Sequence, residues 1–229
     1  SGANPRICRE SVIKPGRGVK VTAEFRDGGM GVLEDCEITG RLVRDGSADP
    51  AVLITTAANP VLRRCAITNP GEGAVWVTGG EGSLENCTLR STIGGPALMV
   101  EQAGSLSVSD QTTIQGGVQV TSGGILRLDG CIVESPSVRG FGILVEAGGH
   151  CVAKDSTVRN VKAHGIEVVG GSIQLADTAI SDTGASGIVA SDGATLNAEG
   201  CTIQGAGASA PHKVGRWVEA HSEKIRGKT

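Results

Sequence analysis

Gly31-Val-Leu-Glu-Asp-Cys36-Glu-Ile38, Pro60-Val-Leu-Arg-Arg-Cys65-Ala-Ile67 and Gly82-Ser-Leu-Glu-Asn-Cys87-Thr-Leu89 are one phrase written three times. Asn4 to Val12 opens the series. Looser copies surround Cys131-Ile-Val133, Ser156-Thr-Val158, Thr178-Ala-Ile180 and Cys201-Thr-Ile203, and a degraded one lies near Gln111 to Ile114. A second phrase follows each first one: Gly18-Val-Lys-Val21, Ala51-Val-Leu-Ile54, Ala74-Val-Trp-Val77, Ala97-Leu-Met-Val100, Gly117-Val-Gln-Val120, Gly142-Ile-Leu-Val145, Gly165-Ile-Glu-Val168 and Gly187-Ile-Val-Ala190. Most copies alternate with period two, the mark of a strand with one buried face.

Successive first phrases stand about 20 to 29 residues apart, too close for a strand and a crossover helix and right for a coil of two or three short strands. Such a coil satisfies its backbone by pairing each strand with its equivalents one turn above and below, ~4.8 Å away. The predicted fold is therefore all-β: a single-stranded right-handed parallel β-helix of about nine coils over residues 1–206. Equivalent side chains then stack, and Cys36, Cys65, Cys87, Cys131 and Cys201 form an inward column, with Glu10, Ser156 and Thr178 in the same place elsewhere. Free cysteine packs as a small hydrophobe, so this ladder reads as core rather than as a metal or redox centre.

Composition agrees. Thirty-six glycines in 229 residues are about twice the usual share, and two Phe, two Trp and no Tyr leave aliphatic stacks to fill the core. A net charge of −3 with so few aromatics gives no footprint for nucleic acid. No apolar run reaches the ~18 residues of a membrane span. Seven cysteines without a Cys-x-x-Cys pair predict a reducing, cytoplasmic setting, although a removed signal peptide would allow secretion. The chain begins almost inside a coil, as expected of a fragment or of a domain cut from a longer protein. At the other end, Val214, Trp217, Val218, His221 and Ile225 fall at helical spacing. They predict that residues 207–229 are a linker and an amphipathic helix that caps the coil or binds a partner.

The phrases resemble the β-helix repeats of carbohydrate-binding and sugar-hydrolysing proteins, and in particular those of certain F-box only proteins. Ala58-Asn59-Pro60-Val-Leu-Arg63-Arg64-Cys65-Ala-Ile67 and Gly80-Glu-Gly82-Ser-Leu-Glu85-Asn86-Cys87 carry the likeness, which is good over residues 1–90 and dilutes to periodicity from about 91 to 206. It implies a pectin-lyase-like solenoid. It implies little about activity, because the fold hosts lyases, epimerases, tailspikes and adaptors. No F-box segment occurs here, so a ubiquitin-ligase role is not carried over.

The residues point away from an enzyme. Glycosidic cleavage needs carboxylates flanking one bond, whereas Asp27, Asp35, Asp45, Asp49 and Asp110 are scattered. Asp155 and Asp177 do precede column residues on successive coils, as solvated turn residues would. Asp49-Pro50-Ala51 lacks the His of the epimerase motif, and Ala163-His164-Gly165 resembles a galacturonase motif without its aspartates. His164 and His150 sit in turns, no Gly-x-Ser-x-Gly elbow exists, and Gly227-Lys228-Thr229 lacks the rest of a phosphate loop. Gly79 to Leu84 has Leu where a calcium repeat needs Asp, and Asn86-Cys87-Thr88 is an accidental glycosylation match. No catalytic residue, metal ligand or cofactor is predicted.

Function is expected instead on the outward column of the second phrase, Lys20, Leu53, Trp76, Met99, Gln119, Leu144, Glu167 and Val189. Solvent-facing strands alternate to polar residues, yet Leu53, Trp76 and Met99 stand on consecutive coils, as at an interface. Partner-binding residues are thus Leu53, Trp76, Met99, Leu144 and, on the terminal helix, Trp217, which could equally cover the stripe from within. The outward column of the first phrase (Glu37, Ala66, Thr88, Ile132, Thr157, Ala179, Thr202) is smaller and more polar. The expected function is a non-catalytic scaffold that recognises a protein partner or self-associates. Alternatives are a carbohydrate-binding or polysaccharide-modifying module and a structural subunit of a larger complex.

Overall fold

The computed structural model of the protein describes residues 6–14, 21–41, 49–71, 73–93, 95–137, 140–191, 193–207 and 218–220. They form an all-β parallel solenoid of about eight turns. β1 (Arg6–Ile13) and β2 (Ala23–Phe25) make the first coil, β3 (Val32–Thr39) and β4 (Val52–Thr55) the second. The third has β5 (Val61–Arg63), β6 (Ala66–Asn69) and β7 (Val75–Thr78), and the fourth β8 (Glu81–Glu85), β9 (Thr88–Ser91) and β10 (Leu98–Glu101). The fifth has β11 (Ser105–Ser109), β12 (Thr113–Gln115) and β13 (Val118–Val120), and the sixth β14 (Ile125–Asp129), β15 (Ile132–Ser135) and β16 (Ile143–Glu146). β17 (His150–Lys154), β18 (Thr157–Val161) and β19 (Ile166–Val169) follow, then β20 (Ser172–Ala176), β21 (Ala179–Ser181) and β22 (Ile188–Ala190). β23 (Thr195–Glu199) and β24 (Thr202–Gln204) begin a further turn, and β25 (Val218–Ala220) closes the list.

Three faces result. The first runs from the N-terminal half of β3 through β5, β8, β11, β14, β17 and β20 to β23, and the second from the C-terminal half of β3 through β6, β9, β12, β15, β18 and β21 to β24. The third stacks β2, β4, β7, β10, β13, β16, β19 and β22. The first phrase of the repeat therefore covers two strands, because the chain turns within it. Asp35 (φ 55), Arg64 (φ 49), Asn86 (φ 51), Asp155 (φ 48) and Asp177 (φ 48) adopt the left-handed conformation at that corner. Asn and Asp tolerate this region best, which explains their column. The glycine excess has a related origin where the third face turns into the first: a β-carbon on Gly124 would overlap the carbonyl of Val100 one coil earlier.

The cysteine column follows each corner. Cys36, Cys65, Cys87, Cys131 and Cys201 are buried, and Thr112, Ser156 and Thr178 fill the same place on other coils. The register sets Ser11, not Glu10, opposite Cys36 in the first coil. Each thiol lies against the carbonyl two residues back, as Cys65 Sγ does with Arg63 O at 3.2 Å, and Cys87 Sγ also faces Leu62 O of the previous coil at 3.4 Å. Below the column lie aliphatic stacks such as Leu33, Leu62, Leu84, Val108 and Leu128, which replace aromatic filling with identical neighbours.

Two expectations change at the C-terminal end. About eight turns stand where about nine were expected, since among the described residues no third parallel strand follows β24. Val218–Ala220, read as part of a capping helix, is a strand antiparallel to β22, with Glu219 opposite Val189. Only Val218 of the helical pattern falls in these three residues, too little to separate helix from strand, and an open sheet edge rewards pairing. The rest of the expected helix lies outside the described residues.

Candidate interaction surface

Register places the third-face outward column without a break. Leu53 pairs with Trp76, Trp76 with Met99, Met99 with Gln119, Gln119 with Leu144, Leu144 with Glu167 and Glu167 with Val189. The flanking residues Val52, Ile54, Val75, Val77, Leu98 and Val100 point inward and are buried, so the three central side chains project from the solenoid. The first member is Glu24, which pairs with Leu53. Lys20, expected there, lies outside the described residues, as does Trp217.

The stripe is less open than expected. Leu53, Trp76, Met99 and Leu144 are half-buried rather than exposed, because side chains ~5 Å apart shade one another. Among the described residues the most exposed large hydrophobics are Ile93, Val12, Met30 and Val169, of which Val169 shares the third face beside Glu146. Alternation did not single Val169 out, since it ends its strand. The Trp76 indole lies over Gly73, and its Nε1 is buried without a hydrogen-bond partner among the described residues.

The second face carries a different feature. Arg90, Gln115, Glu134 and Arg159 stand in register on consecutive coils. Ser91, Thr92, Gly116, Pro136, Ser137 and Asn160 wall a cleft of about 370 Å³ over the first three of them. Arg159 Nε donates to Glu134 Oε1 at 2.9 Å, and Gln115 Nε2 donates to Glu134 Oε2 at 3.3 Å. No carboxylate partner for Arg90 is present among the described residues. A second, open hollow of about 410 Å³ lies at the first corner, lined by Val12, Asp35, Cys36, Glu37, Arg64 and Ala66. There Arg64 bridges Glu34 (2.6 Å) and Asp35 (2.7 Å), and Arg63 pairs with Glu85 (2.6 Å). The Leu-Glu-Asp, Leu-Arg-Arg and Leu-Glu-Asn variants of the phrase thus alternate charge across stacked coils. Such exposed pairs are weak and fix register more than stability.

Asp155, Asp177 and His164 lie outside strands, whereas His150, expected in a turn, begins β17, because it joins the ladder between Ile125 and Ser172. Asp155 pairs with the adjacent Lys154 at 3.3 Å. Nδ1 of His150 shares a hydrogen bond of 2.7 Å with Ser172 Oγ, and Nδ1 of His164 is buried without a partner among the described residues. No group of three or more His, Cys, Asp or Glu suited to a metal occurs among the described residues. Burial pushes the thiols of Cys131 and Cys151 up to about 12, so both are neutral core groups at ordinary pH. Among the described residues no helix is long and apolar enough to cross a membrane.

The family model described as "Right handed beta helix region" matches residues 73–229, more than half of the chain. Neither the curated proteins nor the solved structures yield a match.

Proposed function

Because the chain belongs to the right-handed β-helix family, whose common scaffold serves many unrelated activities, we propose that its function lies in its surface. It is a non-catalytic scaffold that recognises a protein, or assembles, through the stripe of Leu53, Trp76, Met99 and Leu144. The observation that carries this is the register: three large apolar side chains project from consecutive coils of one face. Trp and Met are enriched at interfaces. Cys65, Cys87, Cys131, Cys151 and Cys201 are buried thiols outside any disulfide, which fits a reducing compartment. Light scattering and affinity capture test the reading. Trp76→Ala with Met99→Ala abolishes association while the circular dichroism of the coil is retained, and unchanged association refutes the stripe.

The cleft beside Arg90 supports a second reading, a carbohydrate-binding module. Its volume suits one or two sugar rings, and Gln115, Glu134 and Asn160 offer donors and acceptors for hydroxyls. A glycan-binding screen of the wild type against Arg90→Ala with Asn160→Ala separates the two. Sugar binding lost in that variant and kept in the stripe variant assigns the chain to carbohydrate.

A further inference from the structure

We infer that the partner of the third-face stripe is a cationic amphipathic helix lying along the solenoid axis. The inference rests on the reading of that stripe as an interface and adds the chemistry of what docks there.

Charge comes first. The stripe column begins at Glu24 and continues past Leu144 to Glu167, so a carboxylate stands at each end of the apolar centre. Glu101 ends β10 and Glu146 ends β16, both two residues past a stripe position and therefore on its outward side. Against these four, Arg26 beside Glu24 is the one cation along the described strands of this face and the residues that follow them. It lies 3.9 Å from Glu24, and Glu101, Glu146 and Glu167 have no cation facing them among the described residues. An apolar strip bracketed by carboxylates repels anionic lipid and acidic peptides, and complements Lys and Arg flanking an apolar ridge.

Geometry selects the helix. Backbone groups of the face are already paired with the coils on either side, so an extended peptide laid across it finds no ladder to join. A helix satisfies its own backbone. Its pitch of ~5.4 Å is close to the ~4.8 Å between coils, so one apolar residue per turn meets one stripe residue per coil. Leu53 to Leu144 spans four coil steps, about 19 Å or roughly 13 helical residues, and Glu24 to Glu167 spans six, about 29 Å or roughly 19 residues.

Fluorescence anisotropy of the full chain with three labelled helical 19-mers tests this. All carry Leu at i, i+3, i+4 and i+7, and their flanking positions are Lys, Gln or Glu. The Lys peptide is expected to bind about tenfold tighter than the Gln peptide, the sum of a few weak surface pairs, and the Glu peptide more weakly than either. Raising salt from about 50 to 500 mM should close that gap. Glu101→Gln, Glu146→Gln and Glu167→Gln together should erase the Lys advantage and leave Gln-peptide binding unchanged, while Trp76→Ala with Met99→Ala removes binding of all three. Equal binding of the Lys and Gln peptides to the wild type overturns the cationic partner and leaves the apolar interface standing. Lys-peptide binding that survives loss of Trp76 and Met99 overturns the interface itself. If no peptide binds, or phosphatidylserine vesicles bind instead, the inference fails.

Discussion

The indole of Trp76 rests on Gly73, whose φ of +75 turns the chain into the third face; a β-carbon there would overlap Nε1. The corner glycine and the largest stripe residue are thus one packing unit. Gly73→Ala should cost about 2 kcal/mol in chemical denaturation, part left-handed strain and part displacement of the ring. In a Trp76→Ala background the cost should fall to about 1 kcal/mol, the strain alone. Equal costs in both backgrounds would show that the ring does not depend on Gly73.

Alkaline pH should expose the buried thiols. Cys131 and Cys151 have folded-state values near 12, against an ordinary value near 9, and burial is the cause. Above pH ~9 the unfolded chain releases protons that the folded chain keeps, so stability is full below ~9 and falls as pH climbs toward 12. Each thiol contributes a loss of about 1.4 kcal/mol per pH unit in that window. The chain has no tyrosine to confuse the range. Cys151→Ala lowers stability at pH 7 by leaving a small cavity, but its melting temperature between pH 9 and 11 should decline less steeply than that of the wild type.

Thr112 stands in the cysteine column and does what sulfur does poorly. Its hydroxyl accepts the backbone N–H of Cys87 at 3.0 Å and donates to the Ser109 carbonyl at 2.7 Å. Thr112→Val preserves shape and orphans a buried donor, so it should cost about 1–3 kcal/mol, whereas Thr112→Ser should cost under about 1 kcal/mol. If Val is as well tolerated as Ser in urea titrations, the hydrogen bond is not structural.

How far the sequence carried these points depends on which residues stack. The repeat made the solenoid legible, and the columns from Leu53 to Val189 and from Cys36 to Cys201 appeared in the right order, because parallel pairing leaves equivalent residues no other neighbours. The corner inside the first phrase did not appear: Asp35 and Asn86 favour a left-handed turn, but Arg64 at the same place masks the rule. In the first coil, Gly18 to Val21 alternates as well as Ala23 to Phe25 does, and pairing of Glu24 with Leu53 decided between them. Burial of the stripe was hidden because alternation shows which way a side chain points and not how its neighbours shade it. The short strand at Val218–Ala220 was hidden because only Val218 of the wider helical pattern lies in it.

A solenoid holds each coil through its neighbours, so stability should fall toward the end of the stack. Leu62 is completely buried between Leu33 and Leu84, while Leu196 in β23 has Ile173 on one side and is only half-buried. Leu62→Ala should therefore cost about 3–5 kcal/mol, and Leu196→Ala closer to 1 kcal/mol, because the lost contacts and the cavity scale with enclosure. Amide exchange offers the independent check. Protection should be highest in β8, β11 and β14, where both ladder partners are present, and lowest in β23 and β24. A Leu196→Ala cost equal to that of Leu62→Ala, with β23 amides protected like those of β11, would mean that the last coil is enclosed as fully as the middle ones and that nearest-neighbour stacking does not set the local stability.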